Sequence, residues 1–241
     1  MCRDCGCSAK DGNPALSDKK TVEVLTKILD SNDRQALSNR KHFEEHGVLA
    51  INLMSSPGAG KTTLLERTIE ELRGELKIGV IEGDLETNRD AERIRSKGAP
   101  AYQISTGQAC HLDAFMVHEG IHNLPLDELD VVFIENVGNL VCPAAYDVGA
   151  HINVVLLSTT EGEDKPQKYP VMFKSADLML ISKIDLLPYM DFDVEEAVKF
   201  AKSINPRLEW IPLSAKTGSG LKDWFNFIKS SKVRLCLQES L

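Results

Sequence analysis

The chain has 241 residues and a mass of 26.7 kDa, long enough to bury one substantial core. Its 28 basic residues stand against 36 acidic ones, giving a net charge of −8 and a pI near 5.3, which leaves no electrostatic footprint for nucleic acid. No apolar run approaches the roughly 20 residues that span a bilayer, and the six cysteines are too unevenly spaced for a disulfide framework, so a cytoplasmic protein without membrane contact is expected.

Residues 1–16 carry Gly6, Gly12, Asn13 and Pro14 among few apolar side chains, and read as a mobile N-terminal arm. Cys2, Cys5 and Cys7 lie within it as C-x-x-C-G-C. Three thiolates, completed by the amino terminus or a backbone nitrogen, make a donor set suited to square-planar nickel(II), and Gly6 permits the turn that brings Cys5 and Cys7 to one ion. From Ser17 the apolar spacing becomes helical, through Val22, Leu25, Ile28 and Leu29 to Leu37 and Phe43, which predicts a helical lead-in over 17–47.

Over 48–232 short, wholly apolar segments alternate with amphipathic ones, as parallel strands covered on both faces require. Strands are predicted at 48–54, 77–83, 101–104, 130–135, 152–158, 177–183 and 208–214, and helices at 61–74, 88–97, 111–123, 194–203 and 219–230. The implied fold is α/β, a P-loop NTPase with a mostly parallel sheet flanked by helices and an N-terminal helical extension. A tail is expected over 233–241.

The first strand runs into Ser55-Ser56-Pro57-Gly58-Ala59-Gly60-Lys61-Thr62-Thr63 and then a helix, the setting a phosphate-binding loop needs. Gly58 and Gly60 allow a tight fold in which the backbone from Ser56 through Ala59 to Thr63 directs N–H groups at phosphate oxygens. Lys61 is expected to reach the β- and γ-phosphates, and Thr62 to ligate Mg²⁺. Ser55 stands where the motif usually begins with glycine, which requires backbone angles open to a side chain.

Ser182-Lys183-Ile184-Asp185 follows a strand and resembles a guanine-reading loop. Asp185 can accept from guanine's two adjacent N–H donors, whereas adenine would leave it unpaired, and Lys183 can lie along the base. Ser214-Ala215-Lys216, after the last strand, resembles the second such loop, so GTP and GDP are the expected ligands. Asp84 and Asp90 are alternative Mg²⁺ or water-positioning carboxylates, and Arg89 is a candidate charge stabiliser. Glu135-Asn136-Val137-Gly138 reads as the metal-side switch, with Glu135 holding Mg²⁺ through water and the Gly138 N–H sensing the γ-phosphate. No glutamine stands beside that switch to position water, so slow intrinsic hydrolysis is expected.

Cys110, His111 and Cys142 are donors suited to Zn²⁺ or Ni²⁺, although spacing alone favours a structural role, since cysteine is often a small buried hydrophobe and a lone histidine usually structural. His118 and His122 follow His111 on the same predicted helix, roughly on one face. Ser-Ser-Pro-Gly-x-Gly-Lys-Thr-Thr, Glu-Gly-Asp-x-x-Thr-x-x-Asp-Ala, Cys-His-Leu and Glu-Asn-Val-Gly-Asn-Leu-Val-Cys-Pro together resemble the hydrogenase nickel-incorporation GTPases over residues 17–230.

That resemblance implies a metal site at Cys110, His111 and Cys142, near the face where two subunits meet when GTP is bound, and for some members a nickel site like that of Cys2, Cys5 and Cys7. It further implies a GTP-dependent homodimer, for which Leu186-Leu187-Pro188-Tyr189-Met190 is the candidate contact. Nickel would pass through a small nickel- and zinc-binding maturation chaperone (HypA family) to the hydrogenase large-subunit precursor. The urease nickel GTPase is the nearest rival, but the N-terminal cysteines and the Glu135–Pro143 stretch disfavour it.

Overall fold

The computed structural model describes residues 19–84, 89–107 and 109–238. The arm at 1–16 with Cys2, Cys5 and Cys7, the segment 85–88, the side chain of Asp84 and the last residues of the expected tail lie outside the described part of the chain. Helix α1 (Lys19–Glu45) leads into β1 (Leu49–Ser55), α2 (Lys61–Leu72), β2 (Ile78–Asp84), α3 (Arg89–Ser96), β3 (Ala101–Ser105) and α4 (Ala114–His122). Then follow β4 (Val131–Glu135), β5 (Ile152–Ser158), the short helices α5 (Lys165–Lys168) and α6 (Pro170–Ser175), β6 (Leu178–Ser182), α7 (Val194–Ile204), β7 (Glu209–Pro212) and α8 (Leu221–Gln238).

Seven strands form one sheet in the order β3-β2-β4-β1-β5-β6-β7, with every neighbouring pair parallel. β1 lies at the centre, and all seven of its residues are buried because helices cover both sides. Alternation along the strands divides the core. Leu49, Ile51 and Leu53 of β1 join Val131, Phe133, Leu156 and Leu180 beneath α2 and α8, where Leu64, Leu65, Ile69, Trp224 and Ile228 pack. On the opposite face, Ala50 meets Phe43 of α1 and Val117 and Ile121 of α4, while Met54, Val155 and Met179 meet Met172, Phe173, Ala197 and Ala201. Trp224 is fully buried, and its indole N–H donates to Thr68 Oγ1 at 3.0 Å, so no polar atom of the ring is stranded in the core.

All seven predicted strands form, with ends shifted by one or two residues. Three helical expectations need correction. α4 begins at Ala114 rather than 111, because Asp113 is an extended N-cap whose carboxylate accepts from the Met116 N–H at 2.8 Å; Cys110 and His111 therefore sit in the preceding loop. α5 and α6 were not predicted, since four and six residues beginning beside prolines give no helical periodicity to detect. α8 continues past 230 to Gln238, where Leu235 is buried in the core, so much of the expected tail is helix.

Candidate functional site

The loop between β1 and α2 has the expected construction. Gly58 and Gly60 take left-handed backbone angles, with φ of 76° and 99°, while Ser55, the last residue of β1, needs none. Ser55 is useful as a side chain: its Oγ accepts from Lys61 Nζ at 2.9 Å, holding the buried ammonium in the loop. Lys61, Thr62, Thr63, Gly58 and Gly60 line a cleft of about 1220 Å³ together with Glu82, Asp90, Arg93, Glu135 and Gly138. Ser56 directs its hydroxyl to Glu161 Oε2 at 2.6 Å, and Ala59 is buried behind the loop.

The carboxylates form an unbalanced group. Thr62 Oγ1 donates to Glu135 Oε1 at 2.9 Å, but the second oxygens of Glu135 and of its neighbour Glu82 are buried without a hydrogen-bond partner. Burial pushes the Glu82 carboxyl well above the usual range, reinforced by the Glu135 and Asp90 charges; burial also raises Glu135, opposed by Lys61 and the Thr62 hydroxyl. Two orphaned carboxylate oxygens beside a threonine hydroxyl, with Asp90 in the same cleft, are hard oxygen donors that fit Mg²⁺. Asp90 also accepts from Arg93 at 2.9 Å, and Arg93 rather than the exposed Arg89 lines the cleft. Glu82 and Arg93 were missed in the sequence, where each is one polar residue in an ordinary strand or helix.

A second cavity of about 640 Å³ adjoins across Gly60 and is lined by Lys183, Asp185, Ser214, Ala215 and Lys216, with Leu64, Leu156 and Leu213 as its apolar wall. Ser214 Oγ donates to Asp185 Oδ1 at 2.6 Å, aiming one carboxylate oxygen and leaving the other for a ligand. Ser182, the first residue of the expected guanine-reading loop, is buried and donates to the Ala59 carbonyl at 2.8 Å, so it braces the phosphate loop. Lys183 is the one non-glycine described residue with positive φ, at 61°, and its ammonium donates to the Gly58 carbonyl at 2.6 Å. A left-handed lysine costs roughly 1 kcal/mol or more, a strain typical of ligand sites.

Gly138 meets the phosphate loop directly: a Cβ added there would lie 2.9 Å from Pro57 Cα and 3.0 Å from Pro57 N. Two residues earlier, Asn136 is fully buried, and its Oδ1 accepts from both the Val137 and Leu112 N–H groups at 3.0 Å. One side chain thus ties the switch segment to the loop bearing Cys110 and His111. Asn139 adds a tie, donating from Nδ2 to the Cys110 carbonyl at 3.2 Å.

Cys110, His111 and Cys142 converge with their ligand atoms within 4.8 Å of one another. The two sulfurs lie 2.9 Å apart without a disulfide, and that contact raises Cys142 above the ordinary thiol range. Burial lowers His111, whose ring stacks on Tyr146 with centroids 3.9 Å apart. A neutral imidazole held flat beside two thiols is a donor set for a borderline divalent ion. His118 and His122 do not join it; they face His42 of α1 instead.

Residues 49–212 match the CobW/HypB/UreG nucleotide-binding domain. The HypB hydrogenase maturation factor of Rhizobium leguminosarum is 49% identical over 228 residues, covering 95% of this chain and 76% of the relative. Its Escherichia coli K12 counterpart is 49% identical over 91% of this chain and 76% of its own. The crystal structure of Helicobacter pylori HypB in complex with nickel superposes with a TM-score of 0.82 at 42% identity, covering 85% of this chain and 96% of that one. Archaeoglobus fulgidus HypB superposes with a TM-score of 0.79 at 43% identity, over 85% and 100%. With its P-loop GTPase fold and these relatives, the chain belongs to the HypB hydrogenase maturation factors of the CobW/HypB/UreG family.

Proposed function

We propose that this protein is a nickel-handling GTPase that hydrolyses GTP slowly and uses the nucleotide state to deliver nickel to the precursor of the [NiFe] hydrogenase large subunit. Guanine fits the cavity at Asp185, with the carboxylate oxygen left by Ser214 accepting from the base. The triphosphate lies along the loop from Ser56 to Thr63, where Lys61 exchanges its Ser55 contact for the β- and γ-phosphate oxygens. Mg²⁺, held by Thr62 with Glu135 and Asp90 or Asp84, would supply charge neutralisation on those oxygens.

Hydrolysis adds water to the γ-phosphorus, breaks its bond to the bridging oxygen and releases GDP and phosphate. Asp84 or Asp90 orients that water, and Arg93, which lines the same cleft as Asp90, balances charge there. With no glutamine at the switch the turnover stays slow, so each nucleotide state lasts long enough for a partner to read it.

The single observation that carries the reading is Asn136, whose one oxygen accepts from the switch backbone and from the metal-loop backbone. Displacement of Gly138 by the γ-phosphate is thereby passed to Cys110, His111 and Cys142, and metal at those ligands must in turn alter nucleotide affinity. Ni²⁺ or Zn²⁺ is the cargo at this site, and Ni²⁺ at Cys2, Cys5 and Cys7. That Helicobacter pylori HypB has been crystallised in complex with nickel supports the metal assignment. A GTP-dependent homodimer meeting partly through Leu186–Met190, where Tyr189 is 81% exposed, and a HypA-type chaperone complete the route in the cytoplasm.

The test is complementation of a strain lacking the gene. Lys61→Ala is expected to abolish GTP hydrolysis and hydrogenase activity while nickel still binds the N-terminal arm. Full hydrogenase activity with the variant would overturn the GTPase role. Helicobacter relatives 45–50% identical are named hydrogenase/urease maturation factors, so urease activity is read in the same strain; loss of urease with hydrogenase retained would reassign the target.

A further inference from the structure

A second group of potential ligands lies away from the switch, where α1 packs on α4. His118 and His122 are four residues apart and so rise on one face of α4, the spacing by which a single helix chelates an ion. His42 reaches them from α1, and one nitrogen from each of the three rings lies within 4.8 Å of the others. The rings are close: His118 and His122 centroids are 4.5 Å apart, and His42 and His122 centroids 5.1 Å.

The arrangement has the outer shell of a metal site. Asn39 is fully buried, and its amide group donates to two backbone carbonyls, those of Ala114 at 2.7 Å and Val148 at 3.2 Å. This leaves Asn39 Oδ1 facing His118 Nδ1 at 3.1 Å, so the imidazole carries its proton on Nδ1 and presents the Nε2 lone pair outward. Metal-binding histidines are commonly oriented in this way, by a hydrogen bond from the other ring nitrogen.

The Nε2 atoms of His118 and His122 face each other at 3.2 Å. Two nitrogens each about 2.0–2.1 Å from one ion stand about 2.9 Å apart at a right angle and about 3.3 Å apart at a tetrahedral one. The observed separation falls between those values. Gln35 shares the Asn39 oxygen at 3.0 Å, and Asp127 Oδ1 holds His46 at 2.7 Å, which keeps that fourth nearby ring occupied elsewhere.

From this geometry we infer that His42, His118 and His122 form an all-imidazole binding site for a divalent first-row ion, Ni²⁺ or Zn²⁺, separate from the thiolate site. Three neutral nitrogens leave at least one coordination position open to water or to a donor on another protein. His122 is exposed while His42 and His118 are half-buried, so ions enter from the His122 side. An open, nitrogen-only site holds an ion less tightly than thiolates do, which suits loading or hand-over rather than storage.

The test is equilibrium dialysis of the reduced, metal-stripped full-length protein against Ni²⁺ and, in parallel, Zn²⁺. His122→Gln on α4 and His42→Gln on α1 are each expected to bind one ion fewer per chain, or to weaken one site at least tenfold. Both should keep the near-ultraviolet thiolate-to-nickel absorption and the native circular dichroism. Cys110→Ala with Cys142→Ala should lose the ion of that thiolate site and retain the histidine-bound one, the absorption of the N-terminal thiolates persisting. Long-range ¹⁵N spectra of the wild type should show His118 with its proton on Nδ1, and metal should shift the Nε2 resonances of His118 and His122 and one ring nitrogen of His42. An unchanged ion count in both histidine variants, or Nε2 resonances indifferent to metal, would overturn the site.

Discussion

Gly138 shows how little room separates the switch from the phosphate loop, since any side chain there must displace the Pro57 backbone. Gly138→Ala is expected to lower GTP hydrolysis at least tenfold without unfolding the protein, as read by phosphate release and thermal melting. In the proposed function, Asp185 carries base choice through the carboxylate oxygen that Ser214 leaves free. Asp185→Asn replaces an acceptor by a donor, so it should weaken GTP at least tenfold and favour xanthosine triphosphate, checked by competition binding. His151 tests electrostatics at the same scale. Its Nδ1 accepts from the Ala50 N–H at 2.9 Å, and burial, then the Arg40 charge, lower its pKa to about 4.

A histidine kept neutral in the fold gives stability that is full above the unfolded value near 6.5 and declines as pH falls from there towards about 4. At most ~3 kcal/mol is involved, and urea unfolding should show a steeper loss across that window in the wild type than in His151→Gln. The phosphate loop around Lys61 was legible in the sequence because its chemistry is tied to local spacing, whereas Cys142 was singled out by the family resemblance and is brought beside Cys110 and His111 only by the fold. Asn136, Glu82, Ser182 and His42 were not legible, because their partners lie on other elements: Leu112 for Asn136, Glu135 for Glu82, Ala59 for Ser182, and α4 for His42.

At the scale of elements, the parallel strands were readable because wholly apolar runs bounded by polar segments admit few alternatives. Helix ends were less so, as end positions depend on caps and tertiary packing. Asp113 is such a cap, and moving the start of α4 past His111 leaves Cys110 and His111, the proposed metal ligands, on a loop hydrogen-bonded to Asn136 and Asn139. The C-terminal half of α8 depends on packing, with Leu235 buried and Lys232 donating to the Gly47 carbonyl. Leu235→Ala should cost about 2–3 kcal/mol in chemical denaturation, the usual range for emptying such a site.

For the whole molecule, the three proposed sites follow the ends of sheet strands: the phosphate loop and switch segment follow β1 and β4, the proposed base pocket follows β6 and β7, and the thiolates lie in the segments after β3 and β4. Such ends are where ligands gather in open α/β folds. Asn136 joins the switch to the thiolate loop within that plan, which makes reciprocal coupling between nucleotide and metal the central claim. It is tested most directly by nickel affinity at the thiolate site, measured with GDP and with a non-hydrolysable GTP analogue. The protein would carry Cys2, Cys5, Cys7 and His122 replaced, so that only this site reports, and would be compared with the same protein bearing Asn136→Ala. The coupling predicts an affinity that changes at least fivefold between nucleotides and loses that change with Asn136→Ala; equal affinity in both nucleotide states before Asn136 is altered would contradict it.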